Sequence, residues 1–500
     1  MNPARRRRRD GKERHNMSLM PRVRWFEEDD RKKIVDEAKE ILEEIGVFVE
    51  NDEALELLDG AGAEIAAGRV KIPASLVEKA LETAPERILL YNRDGSVAMD
   101  LGGDRIHFNP GSAALRIFDH KLGDARIPDT RDVRNFVTVT DALPGYSAQS
   151  TGVIPGDVPE MIADRYRVYI GLQFSSKPIV TGTFRVEAFK AMHAMLSAVA
   201  GSDEKLREKP TAIFDCCPSP PLMWSDLTCQ ALIDCARTGI PAELISMPLT
   251  GATSPVTLAG AVTQHCAESL SGIVIHQLAR AGSPIIYGGS PACFDMRKGT
   301  TPMGAIETMM IDGAYAEIGK YLGVPVQAYM ALSDSKPVDY QAGMETAMGA
   351  IVAAVSGINN ISGPGMLDFE SCQSLEKLVL DNEICQMARR LTAGIELRDD
   401  PVAKPIISQG LKKKEFLSLP HTLKWFRKEV YMPGAVIERG TLEEWRDKGK
   451  LDAAERAAAR VEEILAKHTP EPLESDIAGT LRELMSEEAK KAGMDKLPAL

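Results

Sequence analysis

Cysteine pairs, histidine and aromatic residues are all scarce in this 500-residue chain, and each shortage narrows its chemistry. The eight cysteines include no C-x-x-C pair, which leaves neither a zinc ribbon nor a thioredoxin-type motif. Unpaired thiols in a reducing compartment and no structural metal are the expectation. The eight histidines include no H-E-x-x-H, and the chain has no G-x-S-x-G elbow, P-loop or G-x-G-x-x-G turn. No apolar run approaches the roughly 18 to 20 residues that span a bilayer. The basic N-terminus lacks the apolar stretch of a secretory signal, so a cytoplasmic protein is expected. A net charge of −12 argues against nucleic acid as a partner. The run Arg5 to Arg9 is the local exception, read as part of a disordered basic arm over residues 1–20.

What is present is a regular alternation. Residues 21–130 read as an N-terminal cap. Helical periodicity runs from Asp29 to Ile45, and short strand candidates at Ile88–Tyr91, Val97–Met99 and Arg105–Phe108 suggest a β-rich insertion or lid. From residue 131 to 410 short apolar runs alternate with longer helical stretches. The runs are Tyr146–Val153, Pro178–Phe184, Thr211–Cys216, Pro241–Ser246, Pro284–Gly289, Val324–Met330, Ile358–Gly363 and Lys404–Ser408. Several show no polar alternation, as strands buried on both faces should. A doubly wound sheet gives the same alternation. The count of eight predicts instead an α/β fold of the (β/α)8 TIM-barrel type. Residues 411–500 read as a C-terminal helical extension, on the outside of the barrel or in the subunit interface of a homo-oligomer.

In a barrel the site lies on the loops after the strands. Those loops hold no recognisable nucleophile–base pair, so chemistry in which a cofactor supplies the nucleophile becomes attractive. Such a reaction needs mainly positioning. Aromatics and carboxylates at these positions suit a quaternary ammonium ion, which cannot donate a hydrogen bond and binds aromatic faces. Phe214, Tyr329, Tyr340 and Phe369 are the candidate cage, and Asp215 and Asp334 the candidate counter-charges. Each aromatic alone is equally an ordinary core residue. His265 and His276 fall within a helix and read as packing groups, and His421 as a helix start or a functional group. Asp215, Cys216 or Asp295 would serve a metal-assisted lyase or hydrolase, and a non-catalytic subunit that binds a quaternary amine or a corrinoid protein is a third possibility.

The loop Ser333-Asp334-Ser335-Lys336-Pro337-Val338-Asp339-Tyr340-Gln341 resembles the active-site loop of the trimethylamine methyltransferase family. So do Gly251-Ala252-Thr253-Ser254-Pro255, Gly288-Gly289 with Asp295-Met296, Gly365-Met366-Leu367 with Ser374 to Asp381, and His421-Thr422-Leu423. Five fragments in order are specific where each alone is weak. The resemblance implies methyl transfer from a methylated amine to the Co(I) of cobalamin on a separate corrinoid protein. Family members specific for trimethylamine carry pyrrolysine in this loop. Here the best-aligned slot holds Pro337, with Gln341 nearby, which implies a quaternary amine such as glycine betaine as substrate. The chain has no corrinoid-binding D-x-H-x-x-G motif. A docked partner would then meet a rim at 251–255, 290–295 and 363–370.

Overall fold

In the computed structural model the description covers residues 20–66 and 68–500, so the basic arm expected over 1–20 lies, but for Met20, outside the described residues. Eight short strands, each followed by a helix, organise the chain. The strands are β1 (His107–Asn109), β2 (Gln149–Ser150), β3 (Ile179–Gly182), β4 (Ala212–Cys216), β5 (Ala242–Leu244), β6 (Ile285–Ile286), β7 (Gln327–Tyr329) and β8 (Asn360–Ser362). The helices are α1 (Thr130–Ala142), α2 (Ala163–Phe174), α3 (Ala188–Ala200), α4 (Asp226–Thr238), α5 (Leu258–Ala279), α6 (Ile306–Leu322), α7 (Tyr340–Ser356) and α8 (Leu375–Thr392).

Strands β2 to β6 pair in parallel in that order, and β7, β8 and β1 form a second parallel set. Backbone bonds join the two sets. Gln327 N donates to Tyr287 O at 3.0 Å, and Ser147 N donates to Phe108 O at 2.8 Å. The result is the (β/α)8 ring expected from the alternation, with one exchange of strands. Lys404–Ser408 is not a strand but part of the helix Lys404–Lys413, with a proline in its first turn. The missing strand is β1, from the stretch assigned to the cap. It overlaps the strand candidate Arg105–Phe108, which the sequence reading places in the cap and not in the ring. The expected boundary at residue 131 therefore falls inside the ring, after β1.

The hairpin Ile88–Tyr91/Val97–Leu101 is not a lid. Ile88, Leu90, Met99 and Leu101 pack with Ala148, Val180, Ile213 and Ile286. Tyr91 N and Arg93 N donate to Pro210 O and Ser176 O, just before β4 and β3. The hairpin therefore plugs the amino end of the barrel. At the carboxyl end, Arg116–Asp119 and Asp124–Arg126 form a hairpin that pairs with Met366–Leu367 and Cys372–Gln373 from the loop after β8. This small sheet stands beside the barrel mouth. In the tail, Ala453–Lys467 packs against α8 and α1, and Ser475–Lys491 against α3 and α2. Between α8 and these helices Ile395, Leu411, Leu417 and Leu423 stay exposed. No helix among the described residues is long and apolar enough to cross a membrane.

Candidate active site at the barrel mouth

Alternation along a strand sends successive side chains to opposite faces. In β4, Ile213 and Asp215 point into the barrel, and Phe214 points out to α3. There Phe214 is fully buried, with its ring 5.0 Å from that of Phe189. Phe214 and Asp215 cannot both serve one site, and the structure brings Asp215 to it. Inward Tyr329 on β7 places its hydroxyl 3.1 Å from Asp215 Oδ2 and donates to it. Inward Glu243 on β5 accepts from Asn360 Nδ2 at 2.8 Å.

Of these groups, Asp215 and Tyr329 line a cavity of about 460 Å3 at the carboxyl end of the strands. Its wall includes Arg167, Phe184, Asp215, Tyr329, Phe369 and Glu370. The electrostatics are those of crowded carboxyls held away from water. Burial pushes Asp215 up to about 7, against the lowering influence of hydrogen bonds from Glu243 and Tyr329. Glu243 stands well above the carboxylate range, first through burial and then through the charge of Asp215. Asp215 Oδ1 and Glu243 Oε2 have no hydrogen-bond partner among the described residues, and the raised Glu243 carboxyl favours its protonated form beside Asp215. Glu370 is likewise raised by burial and by Asp215, and its Oε1 has no partner. The Cys217 thiol in the same wall is pushed up by burial, which keeps it from acting as a thiolate.

Phe369 and Glu370 reach the cavity from the tip of the hairpin after β8. Three consecutive residues there, Asp368, Phe369 and Glu370, have φ of 50°, 56° and 69°. Non-glycine residues avoid this region at a cost of order 1–3 kcal/mol each. The surroundings hold the tip in place. Asp368 N donates to Ser335 O at 3.0 Å, and Lys336 Nζ pairs with Asp368 Oδ1 at 3.0 Å. Lys336 Nζ also lies 3.7 Å from the centroid of the Phe369 ring, so a ligand has only the ring's other face or its edge.

The loop singled out in the sequence thus supports the cavity without lining it. Tyr340 is 85% exposed, and Pro337 and Gln341 also face outward, Gln341 donating to Glu345 at 2.9 Å. Asp334 turns away to accept from Met303 N and Gly304 N at 2.9 and 3.0 Å. Asp339 caps α7 through Ala342 N. Of the eight expected site residues the structure brings Asp215, Tyr329 and Phe369 to the cavity. It leaves Phe214, Asp334, Pro337, Tyr340 and Gln341 outside it. Of the expected rim, Ser290, Phe369 and Glu370 line the opening.

Arg167 and Glu243 went unread. Their signal was a charge where none is cheap: Arg167 on a helix buried on every side, and Glu243 inside an apolar strand run. His265 is a packing group, ring-stacked on Tyr315 at 4.1 Å and kept neutral by burial, which lowers it to about 3. His421 bonds Asp399 in the tail at 3.0 Å. Among the described residues no group of three or more His, Cys, Asp or Glu is placed to hold a metal ion.

A family model described as trimethylamine methyltransferase (MTTB) matches residues 2–493. The chain is 33% identical over 457 residues to trimethylamine methyltransferase MttB of Desulfitobacterium hafniense, covering 91% of this chain and 92% of that protein. It is 30% identical over 477 residues to a glycine betaine methyltransferase of the same species, strain Y51, covering 95% and 99%. The crystal structure of the Methanosarcina barkeri monomethylamine methyltransferase is similar with a TM-score of 0.53 at 12% identity, over 95% of this chain and 89% of that one, which shows a shared fold.

Proposed function

The chain belongs to the trimethylamine methyltransferase family, and from that premise we propose that it moves a methyl group from a quaternary amine of the glycine betaine type to a corrinoid carried by a separate protein. The observation that carries the reading is the cavity wall. It sets Asp215 and Glu370 beside the Tyr329 and Phe369 rings, around a space suited to a small cation. The corrinoid supplies Co(I) as the nucleophile. The protein's part is to hold the N–CH3 bond in line with the open mouth and to exclude water from the other sides. A quaternary ammonium leaves as a neutral amine, so the departure requires no proton donor. Trimethylamine lacks that advantage.

A cavity of about 460 Å3 holds an amine but not a corrin macrocycle. Cobalamin on its carrier would therefore approach from outside, over the rim of loops that carries Ser290, Phe369 and Glu370. A glycine betaine methyltransferase among the relatives supports the substrate class.

The test is a panel of methylated amines incubated with the protein and excess Co(I) cobalamin, read by the absorbance change on methylation of cobalt. Glycine betaine or a related quaternary amine should be consumed, and trimethylamine should not. Comparable turnover of trimethylamine, or consumption of no amine at all, would refute the reading. The second outcome, with tight amine binding, would favour a binding subunit.

A further inference from the structure

The buried arginine of the cavity has no acid to pair with. Arg167 on α2 is 2% exposed, yet its hydrogen bonds go only to backbone carbonyls. Nε donates to Ala163 O at 3.2 Å and Nη1 to Thr151 O. The adjacent Asp164 is taken up by Arg165 Nη1 at 2.9 Å and by Phe184 N at 2.8 Å. Arg167 Nη2 makes no hydrogen bond among the described residues. The guanidinium lies over the Phe184 ring at 4.8 Å, and both side chains line the cavity. An arginine held out of water without a carboxylate is costly, and its planar fork matches a carboxylate in geometry. Asp215 and Glu370 present the converse, acids on the same wall without a bonded cation. Arg167 and Asp215 influence one another across the space but do not bond.

We propose that Arg167 is the residue that selects a betaine over simpler quaternary amines at this site. The substrate's carboxylate is held by Arg167, and its quaternary nitrogen sits toward Asp215, Tyr329 and Glu370. The chemical class is an N-methylated amino-acid betaine, as opposed to a simple alkylammonium or an amino alcohol. One ligand with both charges satisfies both unpaired sets, and a lone cation leaves the arginine as it was. The inference rests on the proposed methyl transfer for its cation site. Arg167 becomes a specificity residue, which positions the substrate so that a methyl group faces the mouth.

The experiment compares glycine betaine, choline and tetramethylammonium, by calorimetric binding and by methyl transfer to Co(I) cobalamin, with the full chain and its Arg167→Lys and Arg167→Met variants. The unaltered protein should prefer glycine betaine in binding and in kcat/KM. Arg167→Met should lose about 10- to 100-fold in glycine betaine affinity, as expected for hydrogen bonds to a charged group. It should leave choline and tetramethylammonium within about 2- to 3-fold on the same scale. Arg167→Lys, which keeps the charge but not the fork, should fall between. The loss should appear in KM more than in kcat. Equal affinity of the unaltered protein for all three compounds would overturn the inference, as would an equal loss of all three in both variants. Should none be demethylated, the reaction fails but the binding ratios still decide the role of Arg167.

Discussion

Protonation of Asp215 should govern amine binding near neutral pH. Burial places its carboxyl at about 7, above its ordinary 3.8, in the free protein. A quaternary cation beside it favours the charged form, so binding requires ionised Asp215 and expels any proton it holds. If only the ionised form binds, the apparent Kd scales as one plus the ratio of protonated to ionised acid. Between pH 8 and pH 6 that factor rises from near 1 to about 10, so affinity weakens by about tenfold, or about 1.4 kcal/mol. At pH 7 binding should release about half a proton per amine, measurable as a dependence of calorimetric enthalpy on buffer ionisation. A raised carboxyl favours folding most below the ordinary Asp range, and that contribution is lost as pH rises toward 7. Amine should accordingly raise Tm more at pH 8 than at pH 6. Asp215→Asn should bind weakly at every pH and release no proton. A Kd constant from pH 6 to 8 in the unaltered protein, with no buffer dependence, would refute this reasoning.

The other predictions follow from neighbouring geometry. Phe369→Ala should weaken amine binding by about 1–2 kcal/mol, whereas Tyr340→Ala, on the outer surface, should leave binding and rate unchanged in the same assay. Gly365 has φ +87°, and a Cβ there would meet Gln373 Oε1 at 2.0 Å; Gly365→Ala should cost about 1–3 kcal/mol by denaturant titration and lower methyl transfer by displacing the hairpin tip. Lys377 and Asp381, 1% and 2% exposed, form an ion pair at 2.5 Å. Lys377→Met strands the buried acid and should destabilise by about 3–5 kcal/mol, read as a loss of Tm.

Much of the barrel was legible because its strands announce themselves as apolar runs bounded by turns. Seven of the eight expected runs contain a ring strand. The remaining ring strand, β1, overlaps the strand candidate Arg105–Phe108, but its place beside β8 is fixed by contacts more than 250 positions away in sequence, which no local pattern reports. The helix at Lys404–Lys413 was misread because Ile406-Ile407 mimics a strand when its amphipathic continuation to Leu411 is ignored. Of the residues read from loop position, Asp215, Tyr329 and Phe369 line the cavity. Loop position alone does not separate Phe214 from Asp215, which one step of strand alternation sends to opposite faces. The polar residues of the loop Ser333–Gln341 bond backbone and one another and do not line the cavity.

That division of labour explains why the loop and the hairpin tip belong together. Three left-handed residues in a row do not persist on their own merits, and the tip contains no glycine to relieve them. Ser335 O, Lys336 and the paired strands on either side constrain the tip. What the constraint achieves is to turn both Phe369 and Glu370 toward the same cavity, though neighbours on an extended strand would face opposite ways. A ring and a carboxyl on one side of the chain from consecutive residues is an arrangement that regular β-structure forbids and that suits a cation. The polar pattern of the loop after β7 and the strain in the loop after β8 are therefore two halves of one device. A sequence motif on one loop can report a site whose contacting side chains lie on another.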